Sequence, residues 1–253
     1  MGTPDFRFKQ FTIRHDRSAM KVGTDGVLLG AWAGSNLNHN LNSQLSTINY
    51  QLSTINCLDV GTGTGLIALM LAQRFPNAQI EGIDIDESSL EQAKENVEAS
   101  PFRGRISLRK QDFNHIDYCS KTYDLIISNP PFYKEDTLSG KDARDAARHT
   151  TSLPFETLVI NASKLLTDDG LFSVIIPYGE ASDFISLCAI HQLYLSRRTD
   201  VRANERKPFK RTLFEFSRHL LPAEITTLTL YQLSTANCQR STDYAVLTQN
   251  FYL

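Results

Sequence analysis

Short apolar runs alternate with longer amphipathic stretches along most of the chain. The run Cys57 to Val60 leads into a glycine-rich turn and then an apolar segment of helical length, Leu66 to Arg74, which Pro76 and Asn77 end. The same alternation predicts a strand at Gln79–Ile83, a helix at Glu87–Ala99, a strand at Ile106–Lys110 and a strongly apolar strand at Leu125–Ser128. It continues with a helix at Phe155–Leu166, a strand at Leu171–Ile176, a helix at Glu180–His191, and strands near Leu193–Val201 and Thr212–Ser217. Strands taking turns with helices are the mark of βαβ units, and their right-handed crossovers build a parallel sheet. The expectation is a doubly wound α/β fold of about seven strands.

A repeat interrupts this rhythm. Residues 44–50 read QLSTINY, 51–57 read QLSTINC and 232–238 read QLSTANC. Two adjacent heptads cannot sustain a coiled-coil seam and the third copy lies far away, so expanded surface loops are the better reading. The chain is then one domain over 1–253, with a low-complexity insertion at about 34–56 and a shorter one at about 232–241. The last residues of the first insertion are candidates for the following strand. Loop-closure entropy grows slowly with length, so such insertions cost little stability when they stay on the surface.

Composition narrows the function classes. At 253 residues and 41% hydrophobic content the chain can bury one sizeable core. Met1 to Gln10 holds no apolar leader core and no later stretch approaches a membrane span, so a cytoplasmic protein with no membrane partner is expected. Cys57, Cys119, Cys188 and Cys238 are scattered, with no C-x-x-C pair and no clustered His, which suggests neither a metal site nor a disulfide framework. A monomer is favoured. The net charge of -2 means that any grip on nucleic acid must be local. One stretch offers it: between Arg197 and Arg218, eight basic residues outnumber Asp200, Glu205 and Glu215. A solvated face is the alternative.

The chemistry begins at Asp59-Val60-Gly61-Thr62-Gly63-Thr64-Gly65. Glycines here let a ligand approach the backbone at the carboxyl edge of the sheet. A dinucleotide fingerprint starting at Gly61 needs glycine at position 66, which is Leu66, so a pyrophosphate site is disfavoured. Asp59 suits an aminoacyl ammonium, and S-adenosylmethionine carries that ammonium and no phosphate. Asp84, at the end of the next strand, can accept from both hydroxyls of a ribose. Asp86 competes for that role, though its place before Glu87 also fits a helix N-cap. Asp112 can accept from an adenine amine while Phe113 packs on the ring, or can simply form a turn. Asn129-Pro130-Pro131-Phe132, directly after an apolar strand, carries most information. Two prolines fix the backbone and remove two donors, so carbonyl oxygens can face a cleft without competition. Hydrogen bonds from an adenine N6 amine to the Asn129 amide oxygen and the Pro130 carbonyl would localise a lone pair otherwise spread into the ring. Phe132 can stack on the base.

These residues together resemble the class I methyltransferases that modify exocyclic or amide nitrogens. Within that group the chain is most similar to the bacterial tRNA1(Val) adenine-37 N6-methyltransferase family. The narrower likeness rests on Phe6 to Phe11, on Met20 to Trp32, on Arg206-Lys207-Pro208 through Phe216, and on the ending Asn250 to Leu253. It covers nearly the whole chain except the repeat-bearing insertions. The resemblance implies a Rossmann-like, seven-stranded, mostly parallel sheet with an antiparallel strand near the C-terminal end. It implies S-adenosylmethionine as cofactor and a tRNA as partner, methylated on N6 of the adenine 3′ of the anticodon. By analogy Lys21, Thr24 and Asp25 help line the cofactor pocket, although Gly23 to Gly26 also reads as a polar turn entering a helix. Arg198, Arg202, Arg206, Lys207, Lys210 and Arg211 would track RNA phosphates, with Lys141, Arg144 and Arg148 on the other side. Three rivals exist: a protein glutamine methyltransferase, an rRNA guanine N2-methyltransferase and a non-catalytic RNA-binding module. The first two families carry extra domains for which this chain has no room, and the third predicts a damaged cofactor site.

Overall fold

The computed structural model describes residues 5–18, 21–35, 37, 54–118, 121–131, 153–233 and 238–253. A small antiparallel pair, β1 (Phe6–Arg7) and β2 (Thr12–Ile13), precedes helix α1 (Thr24–Trp32). The alternating part follows: β3 (Ile55–Val60), α2 (Leu66–Arg74), β4 (Ala78–Asp84), α3 (Glu87–Glu98), β5 (Ile106–Lys110) and β6 (Tyr123–Ser128). After it come α4 (Phe155–Leu165), β7 (Leu166–Pro177), α5 (Ala181–Ile190), β8 (Tyr194–Arg202), β9 (Arg211–Ser217) and β10 (Glu224–Thr229). The hairpin β11 (Tyr231–Leu233) and β12 (Cys238–Arg240) and helix α6 (Thr242–Thr248) close the chain.

The main sheet has eight strands in the order β10-β8-β9-β7-β6-β3-β4-β5. Every neighbouring pair is parallel except the two made by β9. The doubly wound fold is therefore as expected, with one strand more than expected. That extra strand, β10, reads EITTLT and stands at the sheet edge, where its first four residues are exposed. An edge strand buries little, so it leaves no apolar run to find. The central strands bury both faces. On β6, Leu125 and Ile127 join one core with Leu69 and Met70 of α2, while Ile126 joins the other with Leu158 of α4 and Phe184 of α5.

The repeat copies have separate fates. Of the first two, residues 54–57 are described, and Ile55, Asn56 and Cys57 form the start of β3. The third copy contributes to the β11–β12 hairpin, with Leu233 opposite Cys238. Residues 36 and 38–53 of the first insertion lie outside the described residues.

A buried polar cluster ties α1 to the antiparallel end of the sheet. Glu215 on β9 is fully buried, and its Oε2 accepts from the Gly34 amide at 2.7 Å and from Ser173 Oγ at 3.2 Å. Arg197 on β8 lies 3.5 Å from Glu215 Oε1 and stacks 3.8 Å from the Trp32 ring centre. Trp32 in turn donates to Thr199 Oγ1 at 3.0 Å. Burial pushes the Glu215 carboxyl up, against the pull of Arg197, the Gly34 amide, Ser173 and Arg74. Glu215→Ala leaves the buried Arg197 guanidinium with the Trp32 carbonyl at 3.4 Å, the Trp32 ring, and Glu224, 3.8 Å away on an exposed side chain. The variant should lose about 3 kcal/mol, the lower end for breaking a buried pair, as read by denaturant unfolding. A loss no larger than that of an ordinary surface substitution would count against this anchor.

Candidate active site

A cavity of about 690 Å³ opens at the carboxyl ends of β3, β4 and β6. This is the switch point of the sheet, where β3 leads to β4 on one side and has β6 on the other, so the loops diverge and leave a crevice. Its floor is the turn after β3. Gly61, Gly63 and Gly65 all have positive φ, at 72°, 54° and 78°. At Gly61 an added Cβ would meet nothing within 4 Å. It would project into open cavity, as expected where a ligand lies against bare backbone. Gly61 and Thr62 both donate to the Ile83 carbonyl at 2.9 Å, which fastens the turn to β4. Gly65 is the N-cap of α2 and lies outside the cavity wall.

Asp59 holds this turn from beneath. Its Oδ2 accepts from Thr62 Oγ1 at 2.7 Å and from the Ala68 amide at 3.2 Å. The side chain is fully buried and is not among the residues of the cavity wall, so the contacts it makes here are with the turn. The carboxylate faces the turn it organises, and its Oδ1 has no hydrogen-bond partner among the described residues. Asp84, unlike Asp59, reaches the cavity. Its Oδ2 accepts from the Gly63 amide at 2.8 Å and its Oδ1 from the Asp86 amide at 3.0 Å. Each oxygen keeps lone-pair capacity for a ligand. Burial raises the Asp84 carboxyl against those amide hydrogen bonds. Asp86 takes the other reading, capping α3 through the Ser89 amide at 2.9 Å.

Asp112 forms the turn expected of it and also borders the cavity. It lines the cavity, and it caps the turn Phe113–His115 by accepting from the Asn114 amide at 2.8 Å. Partial burial opposes its ionisation, but hydrogen bonds from Asn114 and His115 outweigh it and hold the carboxyl below its ordinary range. Phe113 is buried and borders the same space. Asn129, Pro130 and Pro131 line the cavity directly beyond β6, whose Ser128 Oγ donates to the Val60 carbonyl at 3.0 Å and binds the two strand ends together. Phe132, Lys141, Arg144 and Arg148 lie outside the described residues.

The remaining wall comes from the N-terminal segment: Lys21, Thr24 and Asp25 line the cavity. Two polar residues of α3, one turn apart and both buried, hold this segment over the sheet. Gln92 accepts from the Arg17 amide at 3.0 Å; Asn96 accepts from the Arg14 amide and donates to the carbonyls of Arg14 and Thr64, each at 2.9 Å. In sequence they look like ordinary surface residues of an amphipathic helix.

The basic stretch divides. Arg198 and Arg202 are partly buried on β8, where their Nε atoms donate to Asp200 Oδ1 and Thr229 Oγ1 at 2.9 Å. Arg206, Lys207 and Lys210 are exposed in the loop between β8 and β9. Arg211 lies in the cavity wall, where its Nε donates to Asp25 Oδ2 at 2.7 Å. Sequence reasoning assigned both residues but not to each other; they are 186 positions apart and no motif links them. Among the described residues no group of His, Cys, Asp or Glu is placed to hold a metal ion, and no helix is long and apolar enough to cross a membrane.

Burial is the main cause that pushes the Asp59 carboxyl up to about 7, with the Asp84 charge adding to it. The folded protein therefore keeps a proton that the unfolded chain gives up near pH 4. Stability should fall as pH rises between those values, with the loss complete above about 7. Asp59→Asn keeps an acceptor for Thr62 and Ala68 but cannot ionise. Denaturant midpoints taken at about pH 5 and about pH 8 should drop less for the variant than for the parent. Some drop should remain, since burial also raises Asp84 and Glu215. Parallel drops would show that Asp59 does not titrate in this range.

Comparison with known proteins now identifies the family. The model of the methyltransferase small domain matches residues 37–178, more than half of the chain. The tRNA1(Val) (adenine(37)-N6)-methyltransferase of Flavobacterium psychrophilum is 41% identical over 98% of this chain and 99% of its own length. The proteins of that name from Phocaeicola vulgatus and Trichodesmium erythraeum are 42% and 41% identical over all of this chain and 99% of theirs. Among solved structures, a predicted O-methyltransferase from Agrobacterium tumefaciens superposes with a TM-score of 0.63 at 17% identity, covering 90% of this chain and 96% of that one, a likeness of fold. Similarity of this extent from end to end means that the chain belongs to the methyltransferase small-domain family and, within it, to the tRNA1(Val) (adenine(37)-N6)-methyltransferases.

Proposed function

We propose that this protein transfers a methyl group from S-adenosylmethionine to N6 of the adenine immediately 3′ of the anticodon in a valine tRNA. The observation that carries the reading is one cavity that unites the glycine turn and Asp84 with Asn129, Pro130 and Pro131. The residues present fit that cofactor. The bare backbone at Gly61 leaves a cradle, Asp84 offers a carboxylate to paired hydroxyls, and Phe113 gives an apolar surface for a purine. The cavity volume is that of small-molecule sites, roughly 300–1,000 Å³. Bound there, S-adenosylmethionine supplies an electrophilic methyl group on a sulfonium.

The protein's part is to hold the amine. The Asn129 amide oxygen and the Pro130 carbonyl accept the two N–H bonds of the adenine amine, turning its lone pair out of conjugation and toward the methyl. Neither proline offers a donor that competes for these acceptors. The amine nitrogen gains its N–C bond as the sulfonium S–CH3 bond breaks to leave a neutral thioether, and one amine proton leaves to water. Asp59, sealed beneath the turn, takes no part in that transfer. A base inside a helix or stacked loop cannot reach this depth, so the adenine must turn out into the cavity. Arg206, Lys207 and Lys210 supply local positive charge that a net charge of -2 does not.

The test incubates the protein with labelled S-adenosylmethionine and unmodified bulk tRNA and digests to nucleosides. Label should appear in N6-methyladenosine; label only in ribosomal RNA or release factors, offered in parallel, would overturn the substrate. Asn129→Ala should lower kcat on the order of 100-fold or more, as expected when a contact strongest in the transition state is lost. Cofactor affinity by calorimetry should barely change, and an equal loss of cofactor binding would remove Asn129 from this role. Neutralising Arg206, Lys207 and Lys210 together should weaken RNA binding and flatten its dependence on salt; an unchanged slope would make them a solvated face.

A further inference from the structure

Beside the cavity stands a pair of aromatic rings that neither core absorbs. Tyr178 follows Pro177, whose register partner across the sheet is Arg211 of the cavity wall. Its ring lies 5.4 Å from that of Phe209, tilted by 33°. Tyr178 is 39% exposed and Phe209 is partly so, and both stand apart from the two apolar clusters. The Tyr178 amide donates to the Lys210 carbonyl at 3.1 Å, and the Lys210 amide to the Val201 carbonyl at 2.9 Å, so the β8–β9 loop is fixed against the end of β7. Cations flank both rings: Arg198 lies 5.7 Å from the Tyr178 centre and Arg202 5.4 Å from that of Phe209.

Exposed aromatic faces braced by cations serve unpaired bases well, because every base has a π-face and its phosphate is negative. The charge around the pair agrees. Within residues 203–210, Arg206, Lys207 and Lys210 face one acid, Glu205. A protein partner of mixed charge would gain nothing from that bias. We propose that Tyr178 and Phe209 form a stacking platform for an unpaired base next to the methylated adenine. The inference rests on the RNA substrate proposed above. The cavity takes the target, and the platform takes its neighbour and so sets which loop presents the adenine.

The probe is an anticodon stem-loop RNA with 2-aminopurine at a position flanking the target adenine, added to the full-length protein. Its fluorescence should be quenched on binding to the parent and to Tyr178→Phe, which keeps the ring. Tyr178→Leu keeps apolar contact with Phe209 but has no π-face; it should lose the quenching and raise the KM for RNA about tenfold, a typical loss for one stacked base. Cofactor affinity should stay at the parent value and so report an intact fold. Two results are decisive and distinct. If the parent methylates RNA and Tyr178→Leu does so with unchanged KM and quenching, the platform is wrong and the function stands. If the parent neither binds nor methylates any RNA, the proposed function falls and the platform falls with it.

Discussion

A carboxylate shut off from water organises the site. Asp59 stands one residue before the end of the central strand β3 and accepts from Thr62 and Ala68, so one side chain fixes both the middle of the glycine turn and the first turn of α2. The turn is clamped from the other side by the Ile83 carbonyl and the Asp84 carboxylate. Burial makes ionisation of Asp59 costly, as the upward shift of its carboxyl shows. Stability is spent at the one place where backbone must stay bare and in position for a ligand. This is the usual relation between a preorganised site and the fold that bears it.

The second constraint is a wall built from sequence far removed from the floor. Lys21 to Asp25 would not face the glycine turn by local structure alone. Gln92 and Asn96 hold the preceding segment to α3, Arg211 holds Asp25 to β9, and Glu215 with Arg197 holds the far end of α1 to the sheet. Arg211 connects the cavity to the basic β8–β9 loop within one residue. Cavity and basic loop therefore meet at one side chain.

Legibility in sequence followed the range of the interactions. The strands and helices from Cys57 to Ser217 could be read because both faces of the sheet are buried and the apolar runs are unbroken. The glycine turn, Asp84 and Asn129 to Pro131 could be read because each stands at a strand end and needs only neighbours in sequence. The bonds of Asp59 to Thr62 and Ala68 could not be read, since nothing local tells whether a carboxylate faces a ligand or the turn beneath it. The basic stretch divides for a related reason. Successive residues of a strand point to opposite faces, so Arg197 enters the core beside Trp32 while Arg198 lies across Tyr178 and Phe214. Only the loop residues among them remain free of that division. Strand β10 and the Asp25–Arg211 pair left no signal, one because an edge is polar and the other because its partners meet only in the fold.

The same geometry explains how the chain tolerates its repeats. The first insertion rejoins the fold at Ile55, the amino end of β3, and the chemistry stands at the carboxyl end of that strand. Six residues of strand separate them by about 20 Å. The sequence QLSTINC gives up its last three residues to a parallel strand buried on both faces, whereas QLSTANC enters a two-stranded hairpin after the sheet is complete. The final Cys stands in a strand in both settings, Cys57 in β3 and Cys238 in β12, in keeping with strand preference as largely a preference for a pleated, half-buried surface. The unit fits wherever an edge or a strand entry will take it. A copy placed instead after β3, β4 or β6 would have displaced the loops that form the cavity.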